Sequence, residues 1–346
     1  MGHLRALAVT DVHVLVPEGI DDPTRPSGGN TYDRRVCDEL AALGWSVRKH
    51  VALDLPRQLA RIPDGSIVLL DGLIASPAPE ALVPEAHRLR QVVLVHMPLE
   101  DEREREVLEA AAAVITTSEW ARRRIEDLYG LPDVHVAEPG VDAADLARGS
   151  ADGGALLCVA AVTRGKGHDV LLGSLATVTD LAWRCACVGS LDRAPAFADH
   201  VQRRALAAGL RDRVHFAGPR TGAALDSAYA AADLLVLASH GETYGMVVTE
   251  ALARGVPVLA TDVGGVPEAL GHGGLLVPPG DSQAFGAALR RWLEDADLRD
   301  ALRRAARERR ASLRGWEETA SAVATALMAA ARPSPAAAPM TSAAAA

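Results

Sequence analysis

The chain has 346 residues, 49% of them hydrophobic and 23% charged, the composition of a soluble globular protein with room for two cores. A formal net charge of −9 argues against nucleic acid as the main partner and gives no general attraction to anionic lipid. No run approaches the roughly 18 apolar residues of a membrane span. Residues 1–9 also lack the pattern of a secretory signal, so a cytoplasmic protein without stable membrane insertion is expected.

In chain order, β-branched or leucine-rich runs alternate with amphipathic stretches, the pattern of parallel α/β layering. Strands are expected at 12–16, 47–51, 67–71, 92–96, 114–117 and 134–137. Among the helices between them are 31–42, closed by Gly44, and 120–128, capped by Ser118. Pro26-Ser27-Gly28-Gly29-Asn30-Thr31-Tyr32 is a glycine turn opening the first of these helices, and no G-x-G-x-x-G follows the first strand, which disfavours a nicotinamide dehydrogenase. His96 ends the fourth strand ahead of Met97-Pro98, at the kind of edge where α/β sites gather. Ser118-Glu119-Trp120 reads as a cap and packing feature.

Pro139-Gly140-Val141-Asp142 closes a first Rossmann-like domain (1–142), and the polar residues 143–154 read as a linker. The pattern then restarts. Strands are expected at 156–160, 184–188, 214–216, 234–238, 258–260 and 275–277, with helices including 221–231 and 283–294, giving a second Rossmann-like domain over 155–315. A last helix, 316–331, follows an arginine-rich one, and the alanine- and proline-rich tail 332–346 has little to bury and is expected to be disordered. Cys37, Cys158, Cys185 and Cys187 show no metal spacing and read as buried reduced thiols.

Two stretches of the second half carry chemistry. Val162-Thr163-Arg164-Gly165-Lys166-Gly167 sets two cations and two glycines at the mouth of a helix, where an anion can be held. Of 36 basic residues only Lys49 and Lys166 are lysines, which suggests a site suited to a compact ammonium. In residues 239–268, a buried strand opens through Glu242, Tyr244 and Gly245 onto a helix carrying Glu250. Gly255-x-Pro257 stops that helix, and a second strand leads to Gly264-Gly265-Val266-Pro267-Glu268. A strand end facing a helix N-terminus presents free N–H groups and a positive dipole to a phosphate. Helical side chains lean towards the N-terminus, so Glu250 can reach the same pocket.

The ordered set Glu242, Gly245, Glu250-Ala251, Gly255-x-Pro257, Gly264-Gly265 and Pro267-Glu268 resembles the retaining, nucleotide-sugar-dependent glycosyltransferases of the family 4 type. The likeness extends more loosely over residues 12 to about 330. It implies the GT-B fold: two Rossmann-like α/β domains with parallel sheets facing across a cleft, the terminal helix crossing back onto the first.

The resemblance also implies roles. Lys166 and Arg164 would hold the donor diphosphate, and so would the backbone amides around Tyr244, Gly245, Met246 and Val247. Glu250 would take the ribose hydroxyls; Glu242 and His96 would hold the sugar. Gly28 and Gly29 would close over the diphosphate, with Asn30 and Tyr32 on the acceptor side. The donor would be a UDP- or GDP-hexose, with no metal and no other cofactor, and the acceptor a small soluble molecule. Glu268 could bind ligand or stiffen its loop. Two other readings are kept: a nucleotide-sugar epimerase of the same architecture, and a non-catalytic nucleotide-sugar-binding subunit.

Overall fold

The computed structural model describes residues 11–22, 26–150 and 152–332. The N-terminal stretch read for a signal lies outside the described residues, as does the tail past Arg332.

Among the described residues, twelve strands form two sheets of six. The first contains β1 (Asp11–Val16), β2 (Ser46–Val51), β3 (Ile67–Asp71), β4 (Arg90–Val95), β5 (Ala113–Thr116) and β6 (His135–Val136), in the spatial order β2-β1-β3-β4-β5-β6. The second contains β7 (Ala155–Val159), β8 (Arg184–Val188), β9 (Val214–Gly218), β10 (Leu234–Leu237), β11 (Val258–Thr261) and β12 (Gly274–Val277), in the order β12-β11-β10-β7-β8-β9. Every pairing is parallel. Parallel strands must be covered on both faces, which is why β3, β10 and β11 are buried along their whole length and read as continuous apolar runs.

Chain order reverses between β1 and β3 in the first sheet and between β7 and β10 in the second. Ligands of open α/β sheets bind beyond the carboxyl ends of the strands at such reversals. The loops leaving β7 and β10 carry Arg164–Lys166 and Glu242–Gly245; the one leaving β1 ends at Ser27, because the helix expected from residue 31 already begins at Gly28-Gly29 (Gly28–Ala42), and Asp71 closes β3.

Helix Trp316–Ala330 does not pack on the second sheet that precedes it. Trp316, Val323, Ala326, Leu327 and Ala330 are buried with Val14, Tyr32, Val36, Leu40 and Leu94 in the core of the first. Thr319 Oγ1 donates to the Glu138 carbonyl at 2.8 Å, fixing the crossing. Residues 137–150 form neither helix nor strand. The four cysteines are buried and free. None of the described helices is long and apolar enough to cross a membrane.

Candidate active site

The second-domain half of the site stands on two helices of unusual entry. Helices Gly28–Ala42, Glu119–Tyr129 and Ser282–Glu294 begin with a Ser or Asp side chain accepting a backbone N–H. The two at the β7–β10 reversal, His168–Ala176 and Met246–Ala253, begin instead at left-handed glycines, Gly167 and Gly245, with no side-chain cap. A glycine cap forgoes only a few tenths of a kcal/mol and leaves the positive helix end open to an external anion. Gly167 is required twice over. Its φ is +64°, and a Cβ there would lie 1.9 Å from the Ala238 carbonyl oxygen at the end of β10.

Between these helices Lys166 Nζ donates to Glu242 Oε1 at 2.7 Å, and Ser239 Oγ donates to the same oxygen at 2.8 Å. Arg164 is exposed, its guanidinium 5.2 Å from the centre of the Phe197 ring. The Glu242 loop is shaped from behind by Gly264-Gly265. A Cβ on Gly264 would lie 1.7 Å from the Glu242 carbonyl oxygen, and the Gly265 N–H donates to that oxygen at 3.0 Å. The glycine pair thus serves the loop that carries the glutamate.

Glu250 lies one turn into its helix, with Tyr229 Oη donating to its Oε2 at 2.7 Å. Burial raises its carboxyl above the ordinary value, opposed by the Tyr229 hydrogen bond and the Arg254 charge. Arg254 also lies over the Tyr229 ring, 4.7 Å from its centre. Tyr244 is buried, and Met246 packs against the cores of both domains.

The first-domain half meets this surface at the glycine turn. A Cβ on Gly28 would sit 3.4 Å from Met246 Sδ, and one on Gly29 would sit 3.5 Å from His96 Cδ2. Ser27 caps the helix by accepting the Asn30 N–H at 3.1 Å. Tyr32 is enclosed: its hydroxyl donates to the Ala137 carbonyl at 2.8 Å, and its ring stands edge-on to both His96 and Trp316. His96 Nε2 lies 2.7 Å from Asp33 Oδ1 and 3.9 Å from Asp71 Oδ2. Burial works to lower the His96 pKa, but the charge and hydrogen bond of Asp33, with the charge of Asp71, outweigh it and raise it above 6.5.

Glu268 crosses the cleft. Its Oε2 accepts the Glu119 N–H at 2.9 Å and its Oε1 pairs with Arg123 at 3.0 Å, so a second-domain carboxylate caps a first-domain helix. Beside it Ser118 Oγ donates to the Thr243 carbonyl at 2.7 Å. Of the two roles open to Glu268, the structure shows a tie between the halves.

Sequence reasoning did not single out Asp33, Asp71 or Tyr229. Asp33 could have been found: it shares the buried face of its helix with Tyr32, Val36, Cys37 and Leu40, where a charge needs a partner. A cavity of about 180 Å³ lined by Arg148, Asp233, Arg303 and Arg307 lies at the amino ends of β10 and β11, opposite the site, and carries none of these residues.

Residues 150–309 match the model of the family described as glycosyl transferases group 1. That match spans the second domain, a little under half of the chain. The match includes the residues from Glu242 to Glu268 that carry the resemblance to the family 4 glycosyltransferases. The chain is 31% identical over 242 residues to a D-inositol 3-phosphate glycosyltransferase of Jonesia denitrificans, covering 63% of this chain and 57% of that protein. To the protein of the same name from Kineococcus radiotolerans it is 34% identical over 251 residues, with the same coverage. The chain thus spans a little over half the length of these relatives.

Among solved structures, a glycosyltransferase from Rickettsia africae superposes with a TM-score of 0.76 at 17% identity, over 94% of this chain and all of that one. Sucrose-phosphate synthase from Thermosynechococcus elongatus gives 0.76 at 22% identity, covering 91% and 98%. HepE from Anabaena, solved with UDP and glucose, gives 0.73 at 17% identity, covering 92% and 99%. These likenesses establish the architecture: GT-B, as the family 4 resemblance implied.

Proposed function

We propose that the protein is a retaining glycosyltransferase moving a hexosyl unit from a UDP- or GDP-sugar to a hydroxyl of a small soluble acceptor. The observation that carries this is the Lys166–Glu242 contact at the β7–β10 reversal, between two uncapped helix N-termini. The diphosphate is read onto Lys166, Arg164 and the amides of Tyr244, Gly245, Met246 and Val247. Glu250 takes the ribose hydroxyls, because an ionised carboxylate only accepts hydrogen bonds. Glu242 and His96 hold the sugar, while Gly28 and Gly29 cover the phosphates. The acceptor arrives over Asn30 and the Tyr32 side of the first domain.

In the proposed reaction the acceptor hydroxyl attacks the anomeric carbon from the face the diphosphate leaves. The carbon–phosphate oxygen bond breaks, and the acceptor proton passes to the departing phosphate oxygen. Charge grows on the diphosphate, where fixed cations and amides in a water-poor cleft stabilise it, each such donor contributing roughly 3 kcal/mol. No metal is assigned a part. HepE was solved with UDP and glucose, which favours a UDP-sugar as the first donor to try. The Jonesia and Kineococcus relatives are named for D-inositol 3-phosphate, which makes a phosphorylated cyclitol the first acceptor to try.

The test is a mass-spectrometric screen of nucleotide sugars for slow hydrolysis, followed by acceptor trials with the winner and stereochemical analysis of the product. Failure to bind or turn over any nucleotide sugar would overturn the reading. An inverted anomeric centre would overturn retention, and interconversion of the donor without acceptor would indicate an epimerase.

A further inference from the structure

The first-domain reversal, between β1 and β3, holds a buried group of three titratable side chains. Asp71 ends β3, Asp33 lies on helix Gly28–Ala42, and His96 follows β4. One ligating atom of each lies within 4.8 Å of the others. The side chains of Asp33, Asp71 and His96 are 3%, 2% and 11% exposed, so water does little to screen them. Two carboxylates and one imidazole enclosed together are costly unless protons balance the charge.

The contacts show how the balance is kept. Asp71 Oδ1 is committed to the Leu73 N–H at 2.6 Å. Asp33 Oδ1 is committed to His96 Nε2, while Asp33 Oδ2 is buried with no N–H or neutral hydroxyl to donate to it. The Asp71 carboxyl, which shares this 4.8 Å group, supplies a donor for that oxygen when it is in its acid form. Burial, then the Asp33 charge, push Asp71 well above the ordinary carboxylate range, against the opposing charge of His96. Protons on Asp71 and His96 bring the net charge of the three side chains to zero. The other titratable groups facing this cluster stay neutral: burial raises Tyr32 well above 10, and burial with the Asp33 charge pushes Cys37 up to about 12.

We propose that Asp33, backed by a proton shared with Asp71, is a positioning residue that locks the His96 ring in one orientation. It keeps the ring cationic, so that it presents a hydrogen-bond donor and a positive charge beside Gly29. The ligand chemistry this suits is an oxygen acceptor, a sugar hydroxyl or a diphosphate oxygen, facing the Met246 helix N-terminus across the cleft. The proposal deepens the glycosyl-transfer reading and rests on it for what His96 meets; the arrangement of the three side chains does not depend on it.

The test has two arms. In the ligand-free protein, NMR of labelled histidine follows the titration of the His96 ring in wild type, Asp33→Asn and Asp71→Asn. The wild-type midpoint should lie above that of a free histidine and fall in Asp33→Asn, with a smaller fall in Asp71→Asn. The Asp71 variant also decides the matter if Asp33→Asn does not fold. In the second arm, nucleotide release from the best nucleotide sugar is measured against pH. Asp33→Asn should lower kcat/KM by about 10- to 100-fold and move the alkaline limb to lower pH, yet have no further effect when added to His96→Gln. An unshifted His96 titration in both variants, or losses that multiply in the double variant, would overturn the proposal. So would Mn²⁺ added alone broadening the His96 resonances in wild type but not in Asp33→Asn, because that would make the cluster a metal site. If wild type turns over no nucleotide sugar while the NMR shifts are as expected, the arrangement stands and the glycosyl-transfer reading is what failed.

Discussion

Lys166 Nζ lies 2.7 Å from Glu242 Oε1, so the second of the chain's two lysines is already matched with a carboxylate before any ligand arrives. The pair fixes the ammonium at the mouth of two uncapped helices without an ordering step on binding. Lys166→Ala should lower transfer by about 100-fold or more, since it removes a cation from the departing diphosphate. Some thermal stability should be lost as well, because Lys166 is about one-third exposed but the Glu242 side chain it leaves without a cation is only 11% exposed. Steady-state kinetics and a melting curve check both, and near-normal turnover removes the phosphate assignment.

Glu250 has two tasks that can be separated. Glu250→Ala leaves the buried Tyr229 hydroxyl unpaired, at a cost of about 1–3 kcal/mol. Adding Tyr229→Phe should recover most of that stability but none of the lost nucleotide affinity. Calorimetric UDP binding beside thermal unfolding tells the two apart. A double variant that binds UDP as wild type does would end the ribose role.

Glu268→Ala should loosen the contact between the domains. The variant removes one acceptor from the first turn of helix Glu119–Tyr129, whose Ser118 cap stays in place, and the pairing with Arg123 goes with it. Small-angle scattering should show a more open molecule, and the KM for donor should rise more than kcat falls. Unchanged scattering and KM would mean that the Ser118–Thr243 contact holds the halves by itself.

The Asp33–Asp71–His96 group makes stability depend on pH in a stated direction. Asp71 rises on folding from 3.8 to about 7 and His96 rises from 6.5, so the folded state holds both protons more tightly than the unfolded chain. The Asp71 contribution is complete below pH 3.8 and is lost as pH climbs towards 7; that of His96 is complete below 6.5 and is lost as pH passes its folded value. Melting temperature should therefore decline between about pH 4 and 7 more steeply in wild type than in Asp71→Asn.

Transfer should persist in EDTA, since the positive charge assigned to the diphosphate comes from side chains and amides. A strict requirement for a divalent ion in the activity assay would contradict that assignment.

Much of the fold was legible because buried parallel strands are written as continuous apolar runs. All twelve described strands fall where they were expected, with ends moved by at most two residues, although β2 (SVRKHV) is a half-exposed, polar strand and not a buried apolar run. The helix caps at Ser118 and Gly245 were readable for the same local reason. What could not be read was pairing across the chain. Nothing near Glu268 in sequence says that its carboxylate ends on a helix 149 residues earlier. Nothing near Tyr229 announces Glu250. Residues 264–268 read as a glycine loop, yet Val266–Leu270 forms a short helix, because Pro267 suits a first turn. The glycines before it are fixed by the carbonyl of Glu242, a neighbour in space.

The seating of Trp316 and Val323 in the core of the first domain has a consequence for how the molecule is made. A nascent chain cannot finish its opening sheet when that sheet leaves the ribosome, because the helix that covers it is translated only after the whole second domain. The later domain, continuous in sequence, can close first, and the earlier one must wait with an apolar face exposed. A copy truncated before Trp316 should accordingly aggregate through its first half while its second half still folds.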